Sequence, residues 1–291
     1  MPTQTPRGDG AANPDPRRGR RSQPRTLAVV KLGGAVLADP GAVAAVWSGI
    51  ADAQTRGERA VVVHGGGPQA TALARRLGHE PRIVAGRRVT TDLDLEVMLY
   101  ALRGALNARL VAAARVHGLR AVGVSGADGA LVTVRRRPPR AVDTDGSGES
   151  VETVDFGHVG DVEAIDPSVL DALLDAGFVP VVATVCADDA GALYNVNADT
   201  VAAEIASALG ARRLDVVTEA GGVRRDPADP ASALGRLTGV EIDAGVAAGW
   251  IAGGMRPKLE TARAALDAGV PAVRVCGPAD VGGDGGTVVT M

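Results

Sequence analysis

The stretch VVKLGGAVL, Val29 to Leu37, decides how the rest of the chain is read. Its apolar, β-branched residues predict a buried strand, yet the strand closes on Lys31 and is followed by a glycine pair, Gly33 and Gly34. Further along, RAVVVHGGG, Arg59 to Gly67, repeats the plan. An apolar strand reaches a polar tip at His64, and Gly65, Gly66 and Gly67 lead into the helical pattern PQATALARRLG, where Pro68 suits a first turn.

Working outward, the alternation continues. A helix over GAVAAVWSGIADAQTRG joins the first two strands, and the long helical pattern DLDLEVMLYALRGALNARLVAAARVHG closes on Gly118. The strands LRAVGVSG, FVPVVATV, RRLDVVT, VPAVRVCG and GTVVTM alternate with helices over DPSVLDALLDAG, ADTVAAEIASALGA and MRPKLETARAALDAG. In the first of these three helices Asp166 is the expected cap and Pro167 the first helical residue. Only ALVTVRRRPPRAVDTDGSGESVETVDFGHVG breaks the rhythm; two short alternating runs about a Pro/Gly/Asp-rich turn predict antiparallel hairpins. Continuous apolar strands alternating with helices predict an α/β fold, its mainly parallel sheet covered on both faces, with ligands beyond the carboxyl ends of the strands.

Composition excludes several classes. The chain has 291 residues, 46 % of them hydrophobic, and a formal net charge of −3, which gives no general attraction to nucleic acid or anionic membrane. Aromatic residues are 2 %, too few for base-stacking platforms. Cys186 and Cys276 form no CxxC pair and the four histidines have no metal-like spacing, so no metal site is expected and the protein reads as reduced and cytoplasmic. No apolar run in the sequence approaches the length of a membrane span. Residues 1–26, rich in Pro, Gly and Arg, read as a solvated, disordered tail; their two Arg-Arg pairs make a poor export signal, because Lys31 interrupts the apolar run after them.

The strand ends carry the functional signal. Glycines there let backbone N–H groups approach a ligand, and before a helix N-terminus those donors face an anion. One such glycine is equally a tight-turn residue; the set Gly33, Gly34, Gly65, Gly66, Gly126 and TEAGGV (Thr218 to Val223) on one sheet edge suggests a highly anionic ligand. His64 reads as a structural residue rather than a base. NVNADT, Asn195 to Thr200, puts two amides and a carboxylate at a helix start, where a cap needs only one residue. AGGMRPKLETA puts Lys258 near another helix start, against the helix dipole unless an anion is near. The chain lacks GxxxxGK[ST] and any clean strand–GxGxxG–helix unit. Two lysines, an aspartate and several glycine loops fit phosphoryl transfer, where positioning and charge neutralisation do most of the catalysis.

The ordered set VVKLGG, VVVHGGG, GRRVT, NVNADT and GGMRPK resembles the amino acid kinase family, over nearly all of the chain after the tail. The resemblance is greatest to its branch acting on N-acetyl-L-glutamate. It implies a three-layer α/β/α sandwich with an amino-acid lobe and dimer interface over 27–184 and a nucleotide lobe over 185–291. The implied reaction passes the γ-phosphoryl group of ATP, with Mg2+, to the side-chain carboxylate of N-acetyl-L-glutamate, with a homodimer as the expected assembly. By position, Lys31 and Lys258 stabilise the phosphoryl group in transit and Asp199 orients both. Gly65, Gly66, Arg88 and Asn195 hold the substrate. Gly33 and Gly34 meet phosphate, and Thr218, Glu219, Gly222, Val223, Ala252, Gly254 and Met255 border the nucleotide. Glu219 stands where the family usually has aspartate, and Arg256 where it often has an apolar residue. The tail lacks the amphipathic pattern of arginine-inhibited members. Two alternatives share the same fold. One is a kinase for α-aminoadipate or glutamate linked to an acidic carrier protein, for which RRRPPR (Arg135 to Arg140) would be the docking surface; as a plain reading that loop is an exposed basic surface. The other is a non-catalytic sensor, against which Lys31, Asp199 and Lys258 are all present.

Overall fold

The structure, a computed structural model, describes residues 26–143, 151–226 and 228–291. Nearly all of the expected tail and the Pro/Gly/Asp-rich turn at 144–150 lie outside the described residues. The main sheet has eight strands: β1 (Leu27–Leu32), β2 (Arg59–His64), β3 (Ala121–Ser125), β4 (Val179–Ala183), β5 (Arg213–Val217), β6 (Arg236–Thr238), β7 (Val273–Cys276) and β8 (Thr287–Thr290). Their order is β6-β8-β7-β5-β1-β2-β4-β3. The run from β7 to β3 is parallel throughout; β8 pairs antiparallel to β7 and parallel to β6. The mainly parallel sheet expected from the apolar strands is therefore present.

Helices cover both faces. They are α1 (Pro40–Thr55), α2 (Gly67–Arg76), α3 (Asp92–Val116), α4 (Ser168–Asp175), α5 (Ala198–Ala208), α6 (Gly239–Ala247) and α7 (Met255–Asp267). The pleat of β1 shows the two-sided burial directly. Val29 packs into a core with Val201 and Ile205 of α5 and Leu259 of α7, whereas Val30 and Leu32 pack into a second core with Trp47 and Ile50 of α1 and Leu110 of α3. Lys31 alternates to the α5 side, and this fixes its partner below.

Two readings need correction. α4 begins at Ser168, one residue later than expected; the Asp166 carboxylate still accepts the Ser168 N–H, at 3.0 Å. α3, with its middle Leu99–Leu106 π-helical, is long and apolar enough by length and composition to cross a bilayer, at a mean hydropathy of 1.2. Its Leu102, Leu106, Leu110 and Ala114 are buried against the protein instead. The expected hairpins are nested. Val132–Arg136 pairs antiparallel with Gly160–Ile165, and Arg140–Asp143 with Val151–Val154. The outer pair joins Val185–Ala187 and Leu193–Asn195 in a second sheet beside the first.

Candidate active site

A cleft of about 460 Å³ opens beyond the carboxyl ends of β2 and β4. Gly65 and Gly66 from the β2–α2 loop, Arg88, and Asn195 with Asn197 line it, and Arg137 enters from the hairpin base. Arg88 is held from several directions, its side chain 7 % exposed. One terminal nitrogen is 3.2 Å from Asp94 Oδ1, and the other donates to Thr71 Oγ1 at 2.5 Å and Gly67 O at 3.4 Å. Asp94 closes a capping box at the start of α3, its Oδ2 taking the Thr91 N–H and hydroxyl. Burial alone would raise this carboxyl, but bonds from Thr91, His79 and Arg88 outweigh it and hold Asp94 below the usual carboxylate range.

The three polar residues of NVNADT do three different jobs. Asn197 is the cap of α5, its Oδ1 accepting the Asp199 and Thr200 N–H groups. Asn195 ends a strand at the cleft wall, and its Nδ2 donates to Thr90 Oγ1 at 3.3 Å. Asp199, in the first turn of α5, takes Lys31 Nζ at 2.6 Å. A lysine at the tip of a buried strand thus meets a carboxylate set at a helix start more than a hundred residues later in sequence. Lys258, half-buried on α7, feels the same pair: burial first, then the Lys31 ammonium, lowers its pKa, while Asp199 and Glu219 act in the opposite sense. Two ammonium groups and a shared carboxylate therefore sit within electrostatic reach of one another.

Glycine is sterically required around this junction. A Cβ on Gly34 would lie 2.5 Å from Pro68 Cδ, and one on Gly66 would lie 2.9 Å from Leu106 Cδ2. Gly33 follows Lys31 closely, its Cβ position 3.9 Å from Nζ, and Gly65 faces Ala198 at the start of α5. The loop after β1 is packed against the start of α2, and the loop after β2 against the start of the helix that carries Asp199.

A second, smaller cleft of about 270 Å³ is lined by Gly222, Val223, Trp250, Ala252 and Met255 among others. The guanidinium of Arg225 lies 5.3 Å from the Trp250 ring centre. Thr218 does not line this cleft: it is buried, and its hydroxyl donates to Gly221 O at 2.8 Å, shaping the loop from beneath. Glu219 is exposed, and Gly254 caps α7 without lining the cleft. Among the described residues no group of three His, Cys, Asp or Glu gathers.

Sequence reasoning did not single out Asp94, Thr90 or Asn107, and read Arg137 only as part of the basic loop RRRPPR. Only Asp94 carried a legible signal, in the capping box TDLD. His64 is where the structural reading put it. It is fully buried, its Nδ1 is 2.8 Å from Gly65 O, and burial pushes its pKa down to about 4, against a weaker upward pull from that carbonyl. Neutral in the folded state and titrating near 6.5 when unfolded, His64 lets the unfolded chain bind more protons between those values. Stability is thus full above pH 6.5 and falls as the pH drops towards about 4, by about 3 kcal/mol from this residue. Urea titrations at neutral and mildly acidic pH, run beside His64→Gln, check this; an equal loss in both proteins would refute it.

Comparison with known proteins identifies the family. A model of the amino acid kinase family matches residues 26–277. An acetylglutamate kinase of Symbiobacterium thermophilum is 43 % identical over 247 residues, covering 85 % of this chain and 82 % of that one. One from Sorangium cellulosum is 45 % identical over 249 residues, covering 86 % of each. Among solved structures, N-acetylglutamate synthase of Neisseria gonorrhoeae, complexed with coenzyme A and N-acetyl-glutamate, superposes with a TM-score of 0.72 at 25 % identity, over 91 % of this chain and 59 % of that one.

Proposed function

The chain belongs to the amino acid kinase family, and from that premise we propose that it transfers the γ-phosphoryl group of MgATP to the side-chain carboxylate of N-acetyl-L-glutamate, giving an acyl phosphate. The observation that carries the reading is the junction of Lys31, Asp199 and Lys258 beside two clefts, one holding a buried, pre-set guanidinium and the other bordered by Trp250 and a glycine loop.

The chemistry rests on charge. A carboxylate is already ionised at neutral pH and attacks phosphorus without a general base. The obstacle is its repulsion from the triphosphate, so catalysis consists of cations and N–H donors fixed where charge builds up. Arg88 grips the α-carboxylate through its guanidinium fork, and Asn195 holds the acetamido end. The N–H groups of Gly33, Gly34 and Gly66 serve the transferring group, and Gly65, its own N–H tied to Leu32 O at 3.3 Å, brings the loop up to the substrate. Lys31 neutralises the transferring group from the acceptor side and Lys258 from the donor side, while Asp199 keeps the two ammonium groups apart and aimed. Thr218, Glu219, Gly222, Val223, Ala252, Gly254 and Met255 frame the nucleotide. Residues 27–184 form the amino-acid lobe and 185–291 the nucleotide lobe, with the start of α5 shared between their tasks. Mg2+ bound to the triphosphate would supply further charge neutralisation, as suits a hard cation on oxygen ligands; this chain contributes the Lys31 and Lys258 ammonium groups and loop N–H donors toward the phosphate oxygens. The enzyme works as a cytoplasmic homodimer. Free buried thiols at Cys186 and Cys276 support the compartment, and apolar side chains exposed on and beside α3, Leu77, Ile83, Leu93 and Tyr100, support the dimer.

The carrier-protein alternative loses its docking surface. Arg135, Arg136, Arg137 and Arg140 are paired with Glu163, Asp155, Asp161 and again Asp161, so RRRPPR offers an acidic partner little free positive charge. An ATP-dependent hydroxamate assay across N-acetyl-L-glutamate, glutamate, aspartate and α-aminoadipate tests the proposal. N-acetyl-L-glutamate should give the highest kcat/KM, by about 10²-fold over glutamate, because an uncapped ammonium leaves the acetamido contacts unmade. Negligible turnover of N-acetyl-L-glutamate beside robust turnover of another substrate would overturn it.

A further inference from the structure

Arg88, Asn195 and the glycines account for the walls of the acceptor cleft, but not for what sets the peptide planes of the HGGG loop. We propose that the buried pair His64–Asn107 is the positioning device that aims the Gly66 N–H into that cleft. The inference rests on the phosphoryl-transfer reading above for its consequence, and on hydrogen-bond logic for its content.

The logic starts at Val181 on β4, whose carbonyl oxygen can only accept. Asn107 Nδ2 lies 2.9 Å from it, so the amide must turn its NH2 that way; the opposite orientation would set two carbonyl oxygens against each other. The same Nδ2 lies 3.1 Å from His64 Nε2, nearer than the other acceptor, Val124 O at 3.5 Å, so its second hydrogen turns to the ring. His64 Nε2 must then accept. In a neutral imidazole the proton therefore sits on Nδ1, which donates to Gly65 O at 2.8 Å. A trans peptide points its carbonyl and its N–H in opposite directions. Anchoring Gly65 O inward on His64 thus turns the Gly66 N–H outward. Gly66 lines the cleft, and among the described residues its N–H has no backbone acceptor. The donor is free for a ligand oxygen.

Three further features make sense only if Asn107 is held in place. The π-helical stretch Leu99–Leu106 ends immediately before it, and such a segment resets the angular position of the residues beyond its end. Gly123 on β3 leaves room for it, since a Cβ there would lie 1.9 Å from Asn107 Oδ1. Asn107 itself is 1 % exposed and His64 is fully buried, so water does not substitute for either partner. Burial also keeps the ring neutral at working pH, without which the tautomer would carry no information.

The test begins with the unaltered protein. With 15N-labelled histidine, long-range proton–nitrogen NMR at neutral pH distinguishes the two neutral tautomers, and His64→Gln assigns the signal by its loss. The Nδ1-protonated form is expected; the Nε2-protonated form would overturn the proposal before any variant is made. In Asn107→Leu the ring loses the donor that fixes its rotation, while Gly65 O, which can only accept, still favours the proton on Nδ1. Turnover of N-acetyl-L-glutamate should then fall about 10–100-fold in kcat, with KM for ATP within about twofold of the parent. An unchanged kcat in a folded Asn107→Leu protein would overturn the positioning role. A protein inactive on N-acetyl-L-glutamate yet holding the Nδ1 tautomer would refute the substrate reading and leave the hydrogen-bond chain standing.

Discussion

Lys31→Ala should lower kcat for N-acetyl-L-glutamate by ~10²–10³-fold, with much smaller changes in KM for either substrate. The magnitude reflects the setting of the ammonium. It sits 7 % exposed at the tip of β1, 2.6 Å from the Asp199 carboxylate, so its charge is poorly screened and its position is fixed. An interaction that matters only as charge accumulates between acceptor and phosphorus appears in kcat rather than in ground-state binding. Lys31→Arg is the sharper companion. It keeps the charge, but a planar fork cannot occupy a point-charge site wedged between Gly33 and Asp199, and most of the loss should persist. Thermal unfolding separates this from collapse, because Asp199 is partly exposed and tolerates the loss of its partner. A Lys31→Ala protein within fivefold of the parent in kcat would end the mechanism proposed here.

Arg88→Ala is expected to act on the other parameter. KM for N-acetyl-L-glutamate should rise ~10–10²-fold, while KM for ATP stays near its parent value. A charge-assisted bond to a carboxylate contributes roughly 1.5–3 kcal/mol, and this guanidinium is anchored before substrate arrives, so little ordering entropy offsets it. The anchors also make a stability cost part of the expectation. Removing Arg88 leaves Asp94 buried, with Thr91 and His79 still bonded to it. Arg88→Lys should recover little KM, because one ammonium cannot serve Asp94, Thr71 and a ligand carboxylate together. Initial-rate kinetics varying each substrate separately check this; an equal rise in both KM values would point to general disorder of the site instead.

Much of the fold was legible because its strands are extreme. Parallel strands buried on both faces read as unbroken Val-rich runs, and glycine-rich exits mark the ligand edge; VVKLGG and VVVHGGG carried both signals. Lys31 and Asp199 stood out for the same reason, each being a charge where burial or capping needed none. What stayed hidden was the layer beneath. Asn107 lies mid-helix in ordinary surroundings, and nothing local predicts that a π-helical stretch will turn it onto His64. Thr218 reads as a nucleotide-loop residue because it sits among glycines, but no spacing announces that its hydroxyl folds that loop from inside. RRRPPR read as open positive surface because the carboxylates that cancel it, Asp155, Asp161 and Glu163, come from the far side of a hairpin. Long-range pairing of this kind leaves no trace in spacing or periodicity.

The place of β1 in the sheet has a consequence for how the protein is made. One neighbour of β1, β2, comes soon after it in the chain, but the other is β5, whose Arg213 pairs with Ala28. At ribosomal rates of about 5–20 residues per second, the stretch between them takes on the order of 10–40 s to appear. Throughout that interval the strand bearing Lys31 presents an unpaired, valine-rich edge to solvent. The strand at the centre of the finished sheet is therefore left with an open edge until most of the chain has been made, and the segment bearing Lys31 needs shielding during synthesis.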